Sequence, residues 1–195
     1  MAGVDCGDCP IGLKVFDSSK SSTYATAQDQ TEINIAYGTG NVTGGLAQDT
    51  VSMGGLVLDS QAFIVASSVS PGMVNAGQNS GLLGLALAPE SQANRTPFWQ
   101  NLMSSGKLLQ PEIGLWLEHG GGGPGAGGVL TLGGTNSSLY TGDIEFHDVV
   151  SSGTVSETSW WTIKLTSMSK STCRFLLNIT DSIVKISLSI RRPSI

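Results

Sequence analysis

The stretch Glu32-Ile33-Asn34-Ile35-Ala36-Tyr37-Gly38-Thr39-Gly40, running on through Asn41 to Val51, decides the fold class. Ile33, Ile35 and Tyr37 alternate with Asn34 and Ala36, the period of a half-buried strand. Gly38-Thr39-Gly40 interrupts the alternation and Asn41 to Val51 resumes it. The segment therefore reads as a β-hairpin with a glycine-rich tip. Strand patterns recur at Gln61–Ala66, Ile113–Leu117, Gly128–Leu132, Asp143–His147 and Trp160–Met168, the last with Trp161, Ile163 and Leu165 on one face. One helix is expected, with Thr96 as N-cap, Pro97 at its first position, Phe98 and Leu102 one turn apart, and Gly106 as its stop. The run His119 to Gly128 is mostly glycine and reads as an exposed loop. It is not a phosphate cradle, because no P-loop lysine or dinucleotide spacing follows it.

Composition agrees with a strand-and-turn chain. Gly and Ser each occur 26 times and Thr 16 times in 195 residues. Gly costs backbone entropy in a helix, and Ser and Thr divert backbone hydrogen bonds. A helical bundle, a coiled coil and a charged disordered tail are excluded, since only 13% of residues are charged. The longest apolar stretch, Leu82 to Ala88, is far too short for a membrane helix.

Charge is unevenly placed. Residues 1–169 carry five basic and fourteen acidic side chains, whereas residues 170–195 carry five basic and one acidic. The acidic body excludes nucleic acid as a partner, because binding a polyphosphate needs a basic footprint. In the basic tail, Val184, Ile186, Leu188 and Ile190 alternate with polar residues. That is either an amphipathic strand or a chance pattern in sequence never selected to pack.

Four of the eight asparagines, Asn41, Asn94, Asn136 and Asn178, lie in Asn-X-Ser/Thr sequons, which leans toward a secreted glycoprotein. Cys6 and Cys9 are spaced to close a small structural disulfide, leaving Cys173 over. A redox centre would need a preceding strand and a following helix, which Pro10 and Gly12 oppose, and a zinc site would need a second pair. Yet Met1-Ala2-Gly3-Val4-Asp5 has neither the basic nor the apolar region of a signal peptide. The expectation is a body made for secretion whose N-terminal segment is missing.

A series of motifs now points to one family. Phe16-Asp17-Ser18-Ser19-Lys20-Ser21-Ser22-Thr23-Tyr24 resembles the F-x-P-S-x-S-S-T-Y segment of pepsin-like aspartic proteases, with Ser18 in place of Pro. Tyr37-Gly38-Thr39-Gly40 and Gly44-Gly45-Leu46-Ala47-Gln48-Asp49-Thr50-Val51 resemble the family's flap hairpin and the strand after it. Gly81-Leu82-Leu83-Gly84-Leu85 is similar to D-G-x-L-G-L, with Ser80 in place of Asp. Pro97-Phe98-Trp99-Gln100-Asn101-Leu102, Leu130-Thr131-Leu132-Gly133-Gly134-Thr135, Tyr140-Thr141-Gly142-Asp143 and Trp161-Thr162-Ile163-Lys164-Leu165 follow in family order. The resemblance covers residues 5–168 and is closest in flavour to fungal secreted members.

The resemblance implies an all-β, bilobal acid protease fold. Residues 1–150 would form most of the N-terminal lobe, 151–169 the start of the C-terminal lobe, and 170–195 a divergent tail. It implies acid endopeptidase activity on proteins, a secreted or vacuolar location, and no metal or cofactor. Tyr37 would be the flap tyrosine, with Gly38 and Thr39 offering backbone hydrogen bonds to a peptide. Taken alone, Tyr37 is only the last inward residue of a hairpin.

In that family each lobe supplies one Asp from an Asp-Thr/Ser-Gly loop. Two adjacent carboxylates cannot both ionise, so they share a proton and divide acid and base roles on one water, a principle for which aspartic proteases are themselves the standard illustration. None of the fifteen acidic positions here begins such a triplet: Asp49 precedes Thr50-Val51, Asp17 precedes Ser18-Ser19, Asp59 precedes Ser60-Gln61, and Asp181 precedes Ser182-Ile183. No catalytic residue is therefore assigned, and the chain by itself is expected to be inactive. The alternative expectation is a secreted, non-catalytic module that binds peptides; the sequence leaves the oligomeric state open.

Overall fold

The computed structural model describes residues 1–9, 12–27, 32–73, 80–117, 128–144, 146–149, 160–163, 172–180 and 183–191. They fall into two compact units, Met1–Asn101 and Leu102–Ile195. The first contains β1 (Ala25–Thr26), β2 (Glu32–Tyr37), β3 (Gly40–Met53) and β4 (Leu56–Val69). Helix α1 (Phe98–Ser104) spans the division. The second unit holds β5 (Glu112–Leu117), β6 (Gly128–Leu132), β7 (Phe146–Asp148), β8 (Thr172–Thr180) and β9 (Ile183–Arg191).

In the first unit β3 is the spine. It pairs antiparallel with β2 from Tyr37↔Gly40 to Glu32↔Gly45, with β1 at Gln48 and Ala47, and with β4 along most of its length. The β3–β4 turn is made by Gly54 and Gly55, with φ of 59° and 82°. Two successive positive-φ residues match the right-handed twist of the flanking strands, and glycine adopts them without a Cβ clash. A register shift between Thr43 and Gly44 brings β3 and β4 very close, where a Cβ on Gly44 would stand 2.2 Å from the Val65 carbonyl oxygen.

Leu46, Ala47, Leu58, Ala66, Val69, Leu87, Phe98 and Trp99 are buried in this unit. Burying each large apolar side chain contributes about 1.5–3 kcal/mol. Trp99 is 1% exposed and its indole N–H donates to the Ala86 carbonyl at 3.0 Å, so the ring's one polar group is satisfied. Residues Met1–Val4 run beside β4: Gly3 N–H donates to the Ala66 carbonyl at 3.0 Å and Ala66 N–H to the Met1 carbonyl at 2.7 Å.

In the second unit the strand order is β6-β5-β8-β9-β7. Ile113 on β5 is 1% exposed. The helix stops where glycine was expected to stop it: Gly106 has φ of 66°, and Lys107 N–H closes back on the Leu102 carbonyl at 3.0 Å.

Several strand expectations need correction. The Gln61–Ala66 strand is the middle of β4, which runs from Leu56 to Val69 because β3 offers it a partner along that length. The Asp143–His147 strand is displaced to Phe146–Asp148, the three residues that pair with Ser187, Ile186 and Lys185 of β9. Residues 160–163 are not a strand: Thr162 N–H turns back to the Trp160 carbonyl at 2.9 Å. The rest of the Trp160–Met168 expectation, and the loop from His119 up to the residue before Gly128, lie outside the described residues. The alternating tail residues Val184 to Ile190 do form a strand, β9, in register with β8.

Candidate functional site

The tip of the β2–β3 hairpin is built by register. Tyr37 pairs with Gly40, so Gly38 and Thr39 form a two-residue turn. Tyr37 is 40% exposed, and its partial burial pushes the phenol pKa above the ordinary tyrosine value. A Cβ on Gly38 would meet no atom within 4 Å, so the backbone there is open to an approaching chain. The three residues expected to contact peptide therefore share one accessible tip.

The tip rests on the turn Pro71–Met73. Asn41 N–H donates to Ser70 Oγ at 2.7 Å and Ser70 N–H donates back to the Asn41 carbonyl at 3.0 Å. The Thr39 hydroxyl donates to Met73 Sδ at 3.3 Å. A Cβ on Gly72 would stand 2.1 Å from the Thr39 carbonyl oxygen, so the two backbones touch there. Sequence reasoning missed this brace, although Pro71-Gly72 is a turn signal.

Below the tip, the Phe16–Tyr24 segment is fastened to β3 through Asp49. This carboxylate is 5% exposed and accepts from the hydroxyl of Thr23, from Ser21 Oγ at 2.8 Å and from Thr50 N–H at 2.7 Å. The Thr23 bond, followed by those from Ser21 and Thr50, holds its pKa below the ordinary carboxylate range despite desolvation. Ser21 and Thr23 thus have a specific structural duty in the S-S-T-Y pattern. Asp17 caps the turn Ser18–Lys20, accepting from Ser19 Oγ at 2.6 Å and pairing with Lys20 at 3.2 Å. Phe16 packs on Tyr24 and Phe63, with ring centroids 5.8 and 5.4 Å apart.

Cys6 and Cys9 are bridged, with their Cα atoms 5.4 Å apart. The small loop docks on β4, Gly7 N–H donating to the Ser67 carbonyl at 3.3 Å and Ser68 Oγ to Asp8 Oδ2 at 2.9 Å. Gly81 to Leu85 is irregular, and Leu82 and Leu83 are exposed. An open cavity of about 400 Å³ lies elsewhere in this unit, lined by Gln48, Ser60, Ala62, Arg95, Thr96 and Asn101. It contains no carboxylate and none of the tip residues.

Asn41, Asn94 and Asn136 are all exposed. Asn136 Oδ1 accepts from Ser138 N–H at 3.1 Å and Oγ at 2.7 Å, capping the turn Ser137–Leu139. Asn178 lies on β8.

Comparison with known proteins fixes the family. A model of the family described as "Eukaryotic aspartyl protease" matches residues 4–184. The chain is 37% identical over 159 residues to major aspartyl peptidase 1 of Cryptococcus neoformans var. grubii, covering 78% of this chain and 31% of that protein. It is 38% identical over 135 residues to cathepsin D of Gallus gallus, covering 69% and 33%. It is 34% identical over 154 residues to pepsin A of Sus scrofa, covering 78% and 37%. The chain thus spans about a third of the length of these curated relatives. With its strand-dominated architecture and ordered motifs, it belongs to the eukaryotic aspartyl proteases of the pepsin-like type.

Proposed function

We propose that these 195 residues supply the flap side of an acid endopeptidase, holding a peptide beneath Tyr37, Gly38 and Thr39 without cleaving it on their own. The observation that carries the binding half is the accessible tip: Tyr37 is 40% exposed and Gly38 stands in open space, while the rest of the hairpin is braced. Inactivity follows from the chemistry. Activating a water for peptide hydrolysis needs a base and an acid in reach of one another. The sequence offers no Asp-Thr-Gly or Asp-Ser-Gly loop, and the buried Asp49 is committed to Ser21, Thr23 and Thr50. A secreted or vacuolar setting accords with the sequons and with one relative, the probable vacuolar protease A of Trichophyton verrucosum.

The test is binding of a fluorescent apolar peptide to the purified chain at acidic pH, alongside a turnover assay. Saturable binding that is lost in Tyr37→Ala, with no product formed, is the expected result. Turnover blocked by a statine-type transition-state analogue would overturn the inactivity. Equal binding by wild type and Tyr37→Ala would overturn the role of the tip.

A further inference from the structure

We propose that Asn41 is an N-glycosylation site whose sugar covers the outer face of the β2–β3 hairpin, leaving the Tyr37 face clear for a peptide. The functional half of this rests on the reading of Tyr37 above. The chemistry is a group transfer. Asn41 Nδ2 loses a proton and bonds to C1 of an N-acetylglucosamine, displacing the diphosphate of a lipid-linked donor sugar. The sequon Asn41-Val42-Thr43 meets the requirement for that transfer.

Strand register determines where the sugar goes. Directly opposed residues of an antiparallel pair share a face, and successive residues alternate between faces. Tyr37 opposes Gly40, so the next pair, Ala36 and Asn41, lies on the other face. Asn34 and Thr43, two positions further along, are on the same face as Asn41, and Asn34 Nδ2 donates to Thr43 Oγ1 at 2.7 Å. Ser68 opposes Thr43 from β4 and donates to Asp8. The Asn41 face is thus a polar sheet of Asn34, Asn41, Thr43, Ser68 and Asp8, whereas the Tyr37 face carries Ile33, Ile35 and Val42.

The site is also held still. Both backbone polar groups of Asn41 are bonded to Ser70, while its carboxamide is exposed and carries no hydrogen bond among the described residues. A sugar on Nδ2 therefore displaces no structural contact. Asn136 differs only in that its carboxamide oxygen caps a turn, a contact that a sugar on its Nδ2 would leave in place. A hydrated glycan behind the hairpin keeps other chains off that face without touching the peptide side.

The experiment is secretion of the chain from a yeast host behind a cleavable leader, with glycopeptide mapping by mass spectrometry. Two labels then read the faces before and after enzymatic deglycosylation: nitration of Tyr37, and alkylation of a thiol introduced by Ala36→Cys. Expected are a glycan on Asn41, severalfold faster alkylation once it is removed, and an unchanged nitration rate. An unmodified Asn41 in molecules that carry a glycan on Asn136 would overturn the site. A glycan that slows nitration as much as alkylation would overturn the face assignment. Should Ala36→Cys fail to be secreted, hydroxyl-radical footprinting of the unsubstituted chain at Asn34 and Tyr37 makes the same comparison. Because mass and labelling are read rather than peptide binding, this inference and the proposed function can fail separately.

Discussion

Gly40 and Ser70 approach so closely that a Cβ on Gly40 would stand 1.9 Å from the Ser70 hydroxyl oxygen. The contact lies where β3 leaves the hairpin tip, and Gly40 has φ of 153°. Gly40→Ala must therefore push Ser70 off Asn41 or bend the strand. Overpacking of this kind costs about 1–3 kcal/mol. Urea unfolding of Gly40→Ala is expected to show a lower midpoint with an unchanged slope. Adding Ser70→Gly removes the clash and recovers part of the loss. Equal stability of Gly40→Ala and wild type would remove the brace from the account.

The hairpin was legible in the sequence because its information is local: alternation in Glu32–Tyr37 and glycine at the tip suffice to define it. The helix Phe98–Ser104 was legible for the same reason, with Pro97 and Gly106 as end signals. Strand ends were less so. Whether Asp143 or Phe146 begins a strand depends on where β9 passes, and that partner lies about forty residues along the chain. Trp161 and Ile163 show the converse, an alternating pattern that is not a strand in residues 160–163. The site divides similarly. Tyr37, Gly38 and Thr39 stood out by motif, whereas Asp49 drew notice only as a failed Asp-Thr-Gly. Its role depends on Ser21 and Thr23, 28 and 26 residues away.

Asp49 should make folding sensitive to acid in one direction only. Its folded pKa lies below its unfolded one, because the Thr23, Ser21 and Thr50 bonds favour the carboxylate. Its contribution is thus fully present above the ordinary carboxylate pKa and fades as pH falls through the lower folded value. Asp49→Asn is expected to be less stable than wild type at neutral pH, with the gap closing in strong acid. A gap that stays constant from neutral to strongly acidic pH would mean that the charge has no part in fastening Phe16–Tyr24.

The Cys6–Cys9 bridge closes a loop of four residues. Chain-entropy arithmetic for so short a loop gives about 2 kcal/mol. Cys6→Ser/Cys9→Ser should lower the urea midpoint accordingly and speed hydrogen exchange at Gly7, whose amide docks on Ser67. Exchange at Gly7 as slow as in the bridged protein would show that the hydrogen bonds to Ser67 and Ser68 hold the loop without the bridge.

Tyr37 titrates on the opposite side of neutrality. Partial burial disfavours the phenolate, raising the folded pKa above the unfolded one. Between those two values the folded state binds more proton than the unfolded, so stability falls as pH rises. Tyr37→Phe removes that alkaline loss and leaves stability near neutral pH little changed, since the ring is kept. The same substitution isolates the Tyr37 phenolate in a difference titration against wild type, separating it from Tyr24 and Tyr140. If a peptide lies against this ring, its binding removes more water and moves the difference titration further up. A Tyr37 phenolate that forms at the ordinary tyrosine pKa, with peptide or without, would mean that the ring is fully hydrated and that the tip holds nothing.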